Sequence, residues 1–211
     1  MVKTNRKIGI LGTGNAGTTL GAKWKDVGYD VVLGSRNPQK HNDKELPVKS
    51  LKEAAEFGDI LVNTTPGEVT LNILKEIGEE LLNGKILIDV SVAMTEDFSL
   101  KYKEESGAEI LQQEFPKVKV VKSLGTMTST IMVEPSILEA PTTVFISAND
   151  VEAKEITSQL LNDLGWSPES QLDLGDLKTA RGQEQFTAMY FALTNALGSD
   201  IFNIKVYLEK K

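Results

Sequence analysis

The chain has 211 residues, 40% of them hydrophobic and 25% charged, with no cysteine and a formal net charge of −7. That length and apolar content suffice for one substantial core with a compact appended portion. The acidic balance excludes nucleic acid or an anionic membrane as the main partner, since both demand a dense basic surface, and without cysteine there is no disulfide, thiolate nucleophile, iron–sulfur cluster or cysteine-ligated zinc.

The basic start MVKTNRK leads into an apolar run too short and glycine-broken for a signal peptide. No apolar stretch is long enough to cross a bilayer, so the expectation is a cytoplasmic protein. Residues 7–11, KIGIL, predict the first strand. Immediately after it, GILGTGNAG puts Gly12, Gly14 and Gly17 in the G-x-G-x-x-G pattern at a strand-to-helix junction. Such glycines allow a tight turn, close approach of backbone to a pyrophosphate, and close packing of helix on strand. Asn15 and Ala16 then offer helix N-terminal N–H groups to the phosphates. Ala16, Leu20, Trp24 and Val27 share one face of that helix, and Gly28 ends it.

Residues 30–34 predict the second strand. In NAD-binding units an acidic residue about 20 positions beyond the glycines accepts hydrogen bonds from the adenosine ribose, and it would repel a 2′-phosphate. Here that place holds Gly34-Ser35-Arg36. Ser35 can donate one hydrogen bond, and Arg36 can form a charge-assisted fork with a phosphate. A charged hydrogen bond contributes about 1.5–3 kcal/mol, about ten- to hundredfold in affinity, so the pattern selects NADP(H) over NAD(H). The polar loop that follows carries Lys40 and the sole histidine, His41, both read as solvated.

A very short third strand at Val48 precedes a small helix over 51–57, and 59–63 is a buried strand ended by the turn signal Pro66-Gly67. Val69, Ile73, Ile77 and Leu81 recur every four residues and predict one helix, with strands at 86–90 and 119–123 after it. Ligands of open α/β sheets bind outside the carboxyl ends of the strands. NTTPGEV, after the fourth strand, therefore offers Thr64, Thr65 and Pro66 to the middle of the cofactor, and DVSVAM, after the fifth, offers Ser91 and Val92 near the nicotinamide ribose. Glu104 and Glu105 read as exposed helix surface.

Beyond residue 124 the rhythm loosens into a loop with a short helix over 124–141, then a strand over 142–147. A helix introduced by Asn149 or Asp150 buries Ile156, Leu160, Leu161 and Leu164, and a short strand lies near Leu172. Phe186, Met189, Tyr190, Leu193 and Leu197 mark the apolar positions of a last helix, and the tail IFNIKVYLEKK fits either a strand or a helical extension. The four-residue spacing of Tyr207 and Lys211 occurs in short-chain dehydrogenases, but without its context it is taken as coincidence. The pattern as a whole predicts an α/β fold: a Rossmann-type, mostly parallel, three-layer NADP-binding unit over 1–124, with a small C-terminal α/β portion over 125–211 packed on it.

No catalytic side chain and no metal ligand set emerges from this reading, because the one histidine lies in a polar loop. Hydride transfer to a keto or alcohol centre normally needs a proton donor, whereas a flavin-like ring takes hydride into its own conjugated system. The protein then needs only a stacking geometry and a dry slot, which the small and apolar segment 126–133 could supply.

In order along the chain, GILGTGNAG, VVLGSRNP, ILVNTTPGEV, VVKSLGT, PTTVFISANDVEAKEITSQLLNDLG and LDLGDLKTARGQE resemble the coenzyme F420-dependent NADP oxidoreductases and their bacterial relatives over nearly the whole length. The resemblance implies a usually homodimeric enzyme, dimerising through its C-terminal portion, that exchanges hydride between NADPH and a deazaflavin, a flavin or a similar small-molecule acceptor. By position it implies that Thr13, Gly14, Asn15 and Ala16 hold the pyrophosphate and Ser35-Arg36 the 2′-phosphate, that Thr65 and Pro66 contact the cofactor, and that Gly125 and Thr126 approach the ring receiving hydride. Many bacterial relatives resemble K-A-F-N-T where this chain has Lys122-Ser123-Leu124-Gly125-Thr126, so an asparagine is lost beside the predicted transfer site. A related membrane family has ferric or flavin reductase activity. The competing expectation is a non-catalytic NADP(H) sensor that reports cofactor occupancy to another protein.

Overall fold

In a computed structural model, which describes residues 6–41, 45–97 and 99–209, the apolar runs become strands whose successive side chains enter two different cores. The chain runs β1 (Lys7–Leu11), α1 (Asn15–Asp26), β2 (Asp30–Ser35), a 3-10 turn (Pro38–His41), β3 (Val48–Ser50), α2 (Leu51–Phe57), β4 (Ile60–Asn63), α3 (Gly67–Ile77), α4 (Glu79–Leu82) and β5 (Ile86–Asp89). It continues through α5 (Gly107–Glu114), β6 (Lys119–Ser123), α6 (Ser129–Val133), β7 (Val144–Ala148), α7 (Val151–Asp163), β8 (Gln171–Asp173) and α8 (Ala180–Leu197). Among the described residues the strands form one sheet in the order β3-β2-β1-β4-β5-β6-β7-β8. Every pairing is parallel except β6 with β7. The first six strands have the doubly wound order that reverses direction between β1 and β4.

Period-two alternation decides which face each residue meets. Ile8 and Ile10 of β1, Val31 and Leu33 of β2, and Ile86 and Ile88 of β5 enter one core with Leu20, Trp24 and Leu160. Leu11, Val32, Leu61 and Leu87 enter the other with Ala54, Leu74 and Leu111. Helices thus cover both faces of the sheet, the three-layer α/β arrangement expected from the sequence. Trp24 is buried and its Nε1 donates to the Leu160 carbonyl at 3.3 Å, joining the first helix to α7. Trp166 likewise donates from Nε1 to Met132 O at 2.9 Å.

Several expectations shift in detail. The predicted helix through Val69 and Leu81 is two helices, because Gly78 adopts φ 94°, a left-handed conformation that no helix continues through. Glu104 and Glu105 precede α5 and are not on a helix. The helix α5 itself carries a signal not used in the sequence reading: Ser106 and Glu109 form a reciprocal capping box. The last helix begins earlier than its apolar positions suggest, and its buried residues are Ala180, Gln183, Glu184 and Thr187. Met189 and Leu197, two of the apolar positions that mark the helix in the sequence, are 56% and 60% exposed. The tail over 201–209 is neither strand nor helix; it is held to the start of β7 by Thr143 N donating to Ile204 O at 2.8 Å. Lys211 lies outside the described residues.

Candidate functional site

The site is built where β2, β1 and β4 end together. Leu11 is in register with Gly34 on one side and Asn63 on the other, so the loops that follow these strands open onto one edge. There they line a cleft of about 350 Å³.

The three glycines of the first loop do different work. Gly12 turns the chain with φ 126° and donates its N–H to Gly34 O at 3.0 Å. A Cβ on Gly17 would stand 2.5 Å from Gly12 O and 2.7 Å from Thr64 Oγ1, so this glycine lets α1 pack against the loop. Gly14 is the exception: it caps α1 with φ −74°, and a Cβ there would meet nothing within 4 Å. Neither backbone strain nor protein packing requires glycine at this exposed position on the cleft wall, but a group approaching the backbone from the cleft would. Asn15 and Ala16 open α1, whose first turn has no acidic residue and whose cap contributes no side-chain hydrogen bond. Its leading N–H groups and dipole are therefore available to an anion.

On the other side, β2 delivers Ser35, which is 9% exposed and accepts the Asn37 N–H on Oγ at 3.1 Å. Arg36 is exposed on the cleft wall and has no ion-pair or hydrogen-bond partner among the described residues. Lys40 and His41, at the end of the 3-10 turn, line the same cleft. His41 is half-buried with Nε2 3.3 Å from Thr13 Oγ1, so it is part of the wall and not the solvated loop residue expected. The sequence held no signal for this, because the contact joins loops 28 residues apart. Among the described residues no carboxylate lines the cleft, while Arg36 and Lys40 make the end beside β2 cationic.

The far end rests on a buried polar floor. Thr64 Oγ1 donates to Leu11 O at 3.0 Å, and Thr65 Oγ1 donates to Asn63 Oδ1 at 2.6 Å. Asn63 Nδ2 in turn donates to Asp89 Oδ1 at 2.7 Å and to Ser91 Oγ at 3.1 Å. Asp89 Oδ2 lies 2.8 Å from Lys122 Nζ, whose side chain is fully buried and also 3.0 Å from Glu184 Oε1. Burial works against the Lys122 ammonium, but Asp89 and Glu184 outweigh it and hold its pKa above the ordinary lysine value. This network was not found from sequence: a lysine, two acids and an asparagine spread over more than a hundred positions carry no local pattern.

Of the residues singled out beforehand, the cleft brings together Gly12, Thr13, Gly14, Ser35, Arg36, Thr64, Thr65 and Pro66. Asn15, Ala16 and Gly17 lie behind it at the start of α1. Ser91 and Val92 follow β5 outside the cleft wall; Ser91 is fastened to Asp89, and Val92 abuts Gly67, where a Cβ would stand 2.4 Å from its carbonyl carbon. Gly125 and Thr126 follow β6, where Leu124 is the one described non-glycine residue with positive φ, at 64°. A Cβ on Gly125 would come within 3.0 Å of Val90 O, so this glycine lies hard against the loop after β5. Among the described residues there is no group of three or more His, Cys, Asp or Glu placed to hold a metal ion, and no helix is long and apolar enough to cross a membrane.

This fold and cleft define a Rossmann-type protein of the dinucleotide-binding class. The profile of the family described as "NADP oxidoreductase coenzyme F420-dependent" matches residues 7–93. A solved structure from Arthrobacter sp. FB24, given the provisional name F420 dependent NADP-reductase, superposes with a TM-score of 0.89 at 32% identity over 96% of this chain and 100% of that one. The chain belongs to this family of NADP-dependent oxidoreductases. The F420-dependent NADP reductase of Methanocaldococcus jannaschii is 26% identical over 211 residues, 89% of this chain and 92% of that protein. Human metalloreductase STEAP2 is 31% identical over 209 residues, covering 91% of this chain, which spans only 38% of that protein's length.

Proposed function

We propose that the protein is an NADPH-dependent reductase passing hydride to a deazaflavin, a free flavin or a similar small-molecule acceptor. The observation that carries the reading is the adenosine end of the cleft: where an acid would exclude a 2′-phosphate, the chain presents Ser35, Lys40 and an Arg36 that has no partner among the described residues. The open face of Gly14 and the uncapped start of α1 fit the pyrophosphate of the same ligand. The bound nicotinamide supplies the hydride, so the chain's own task is to hold its two ends, shield the strand edge from water and leave a face for the acceptor. Thr64, Thr65 and Pro66 line the middle of that path. In this reading Ser91 and Val92 lie near the nicotinamide ribose, and Gly125 and Thr126 belong to the acceptor side, on loops that meet at Val90.

The test is an anaerobic screen following NADPH absorbance with coenzyme F420, FMN, FAD and ferric chelates as separate acceptors. Consumption of NADPH with one of them is expected. Tight NADPH binding with no turnover on any of the four would replace this reading with that of a non-catalytic sensor. The same proposal includes a cytoplasmic site of action and a homodimer formed through the C-terminal portion, which is supported by the exposure of Met189, Leu197, Tyr207 and Leu208, at 56%, 60%, 81% and 89%. Sedimentation velocity of a monomer at micromolar concentration would remove the dimer.

A further inference from the structure

The fully buried Lys122 ammonium and its two carboxylates are not accounted for by cofactor binding, since neither Lys122 nor Glu184 lines the cleft. Burying three charged side chains is costly, and well-packed apolar residues would serve stability as well or better. The cluster is nevertheless built with care. Glu184 Oε2 accepts the N–H of Gly107 at 2.8 Å, at the start of α5. Asp89 Oδ1 accepts from Asn63 Nδ2 and from Ser91 Oγ, both at 2.7 Å, and Lys122 Nζ also donates to the Ser91 carbonyl. Ser91 and Asn63 are the members through which the cluster reaches the ligand side: Ser91 begins the loop after β5, and Asn63 holds Thr65 of the cleft wall.

Counted as ion pairs, one ammonium and two carboxylates leave one surplus negative charge beneath the carboxyl ends of β4, β5 and β6. In an interior of low dielectric such a charge acts over a longer range than at the surface. The two redox forms of the cofactor differ there by one unit. When a hydride, one proton with two electrons, leaves the neutral reduced nicotinamide for the flavin-like acceptor, the nicotinamide becomes a cation and the acceptor takes the negative charge.

We propose that the Lys122–Asp89–Glu184 triad is a positioning element that sets the redox preference of the cleft: its surplus negative charge favours the cationic, oxidised nicotinamide and so biases the protein toward hydride donation from NADPH. The inference rests on the NADP(H) reading of the cleft. It assigns Lys122 a double part, pairing with both carboxylates and tying the loop after β5 to β6 through the Ser91 carbonyl.

The experiment is calorimetric titration of wild type and Glu184→Gln with NADPH and, separately, with NADP+, alongside a thermal melt of each unliganded protein. Removing one negative charge is expected to weaken NADP+ more than NADPH, raising the ratio of their dissociation constants about three- to tenfold. Thr70→Val is the uncharged control: it disturbs the same network at Asn63 Nδ2, 3.1 Å away, and should move both affinities alike. Should Glu184→Gln fail to fold, Asp89→Asn removes the same unit of charge while keeping an oxygen for the donors of Asn63 and Ser91, with the same expected direction. An unchanged ratio in a folded charge variant that binds both forms overturns the role of the triad and leaves the NADP(H) reading standing. Wild type that binds neither form overturns that reading, and the inference with it.

Discussion

Thr13 Oγ1 and His41 Nε2 lie 3.3 Å apart, so that the glycine-rich loop after β1 and the turn after β2 close one end of the cleft from opposite sides. One neutral hydrogen bond of this kind contributes about 0.5–1.5 kcal/mol, a two- to tenfold effect on affinity. His41→Ala is expected to weaken NADPH by about that factor while leaving the melting temperature nearly unchanged, because the residue packs into neither core. Calorimetric titration decides it; an unaltered dissociation constant would make the contact incidental to the ligand.

Arg36 is the sharper test of cofactor choice. Its guanidinium is exposed on the cleft wall with no partner among the described residues, so replacing it by alanine orphans no buried group. The loss should fall on the 2′-phosphate alone. Arg36→Ala is expected to weaken NADPH about ten- to hundredfold and NADH little, the scale of a charged hydrogen bond. Equal losses for both cofactors, measured by competition, would mean that Arg36 serves some feature common to the two.

Why the cleft wall is legible in the sequence and the floor is not follows from how each is encoded. The glycine loop, Ser35-Arg36 and the turn at Pro66 are local: each lies within a few residues of a strand end, and alternation of apolar residues fixes where the strands end. The helix break at Gly78 was missed because the spacing of Ile73, Ile77 and Leu81 continues across it; the four-residue period persists while a left-handed glycine redirects the backbone. The first half of α8 was misjudged for the opposite reason. Its buried face includes Gln183, Glu184 and Thr187, polar residues that hydrophobic periodicity assigns to solvent; Glu184 meets Lys122 there, and Gln183 meets Ser147. Only the tertiary structure shows that pairing.

Two of the loop's three glycines separate folding from binding. On Gly17 a methyl group would stand 2.5 Å from the Gly12 carbonyl oxygen, which is backbone and cannot move aside. Gly17→Ala is therefore expected to lower the melting temperature, at a cost of about 1–3 kcal/mol, the usual range for overpacking. On Gly14 a methyl meets nothing within 4 Å, and φ of −74° suits any residue. Gly14→Ala should keep the fold within about 1 kcal/mol yet weaken NADPH at least tenfold. A Gly14→Ala variant with wild-type affinity would place the pyrophosphate elsewhere.

The acid dependence of stability should carry the signature of Glu109. This carboxylate completes the capping box of α5 with Ser106 and receives a fork from Arg181, Nε to Oε2 at 2.8 Å and Nη2 to Oε1 at 2.7 Å. Partial burial works to raise its pKa, but the Arg181 fork and the Ser106 donors outweigh burial and leave it below the ordinary glutamate value. A folded-state value depressed below the unfolded one stabilises above the unfolded pKa, near 4.3, and that contribution fades as pH falls through the lower folded value. In Arg181→Met the fork is gone while the burial and the Ser106 donors remain, so protonating Glu109 costs the variant less than it costs the wild type. The gap in melting temperature between the two proteins is thus expected to be widest near neutral pH and to narrow as pH drops below about 4. Thermal melts across that range check it, and a gap that held constant into acid would assign the contribution of Arg181 to packing and not to the charge on Glu109.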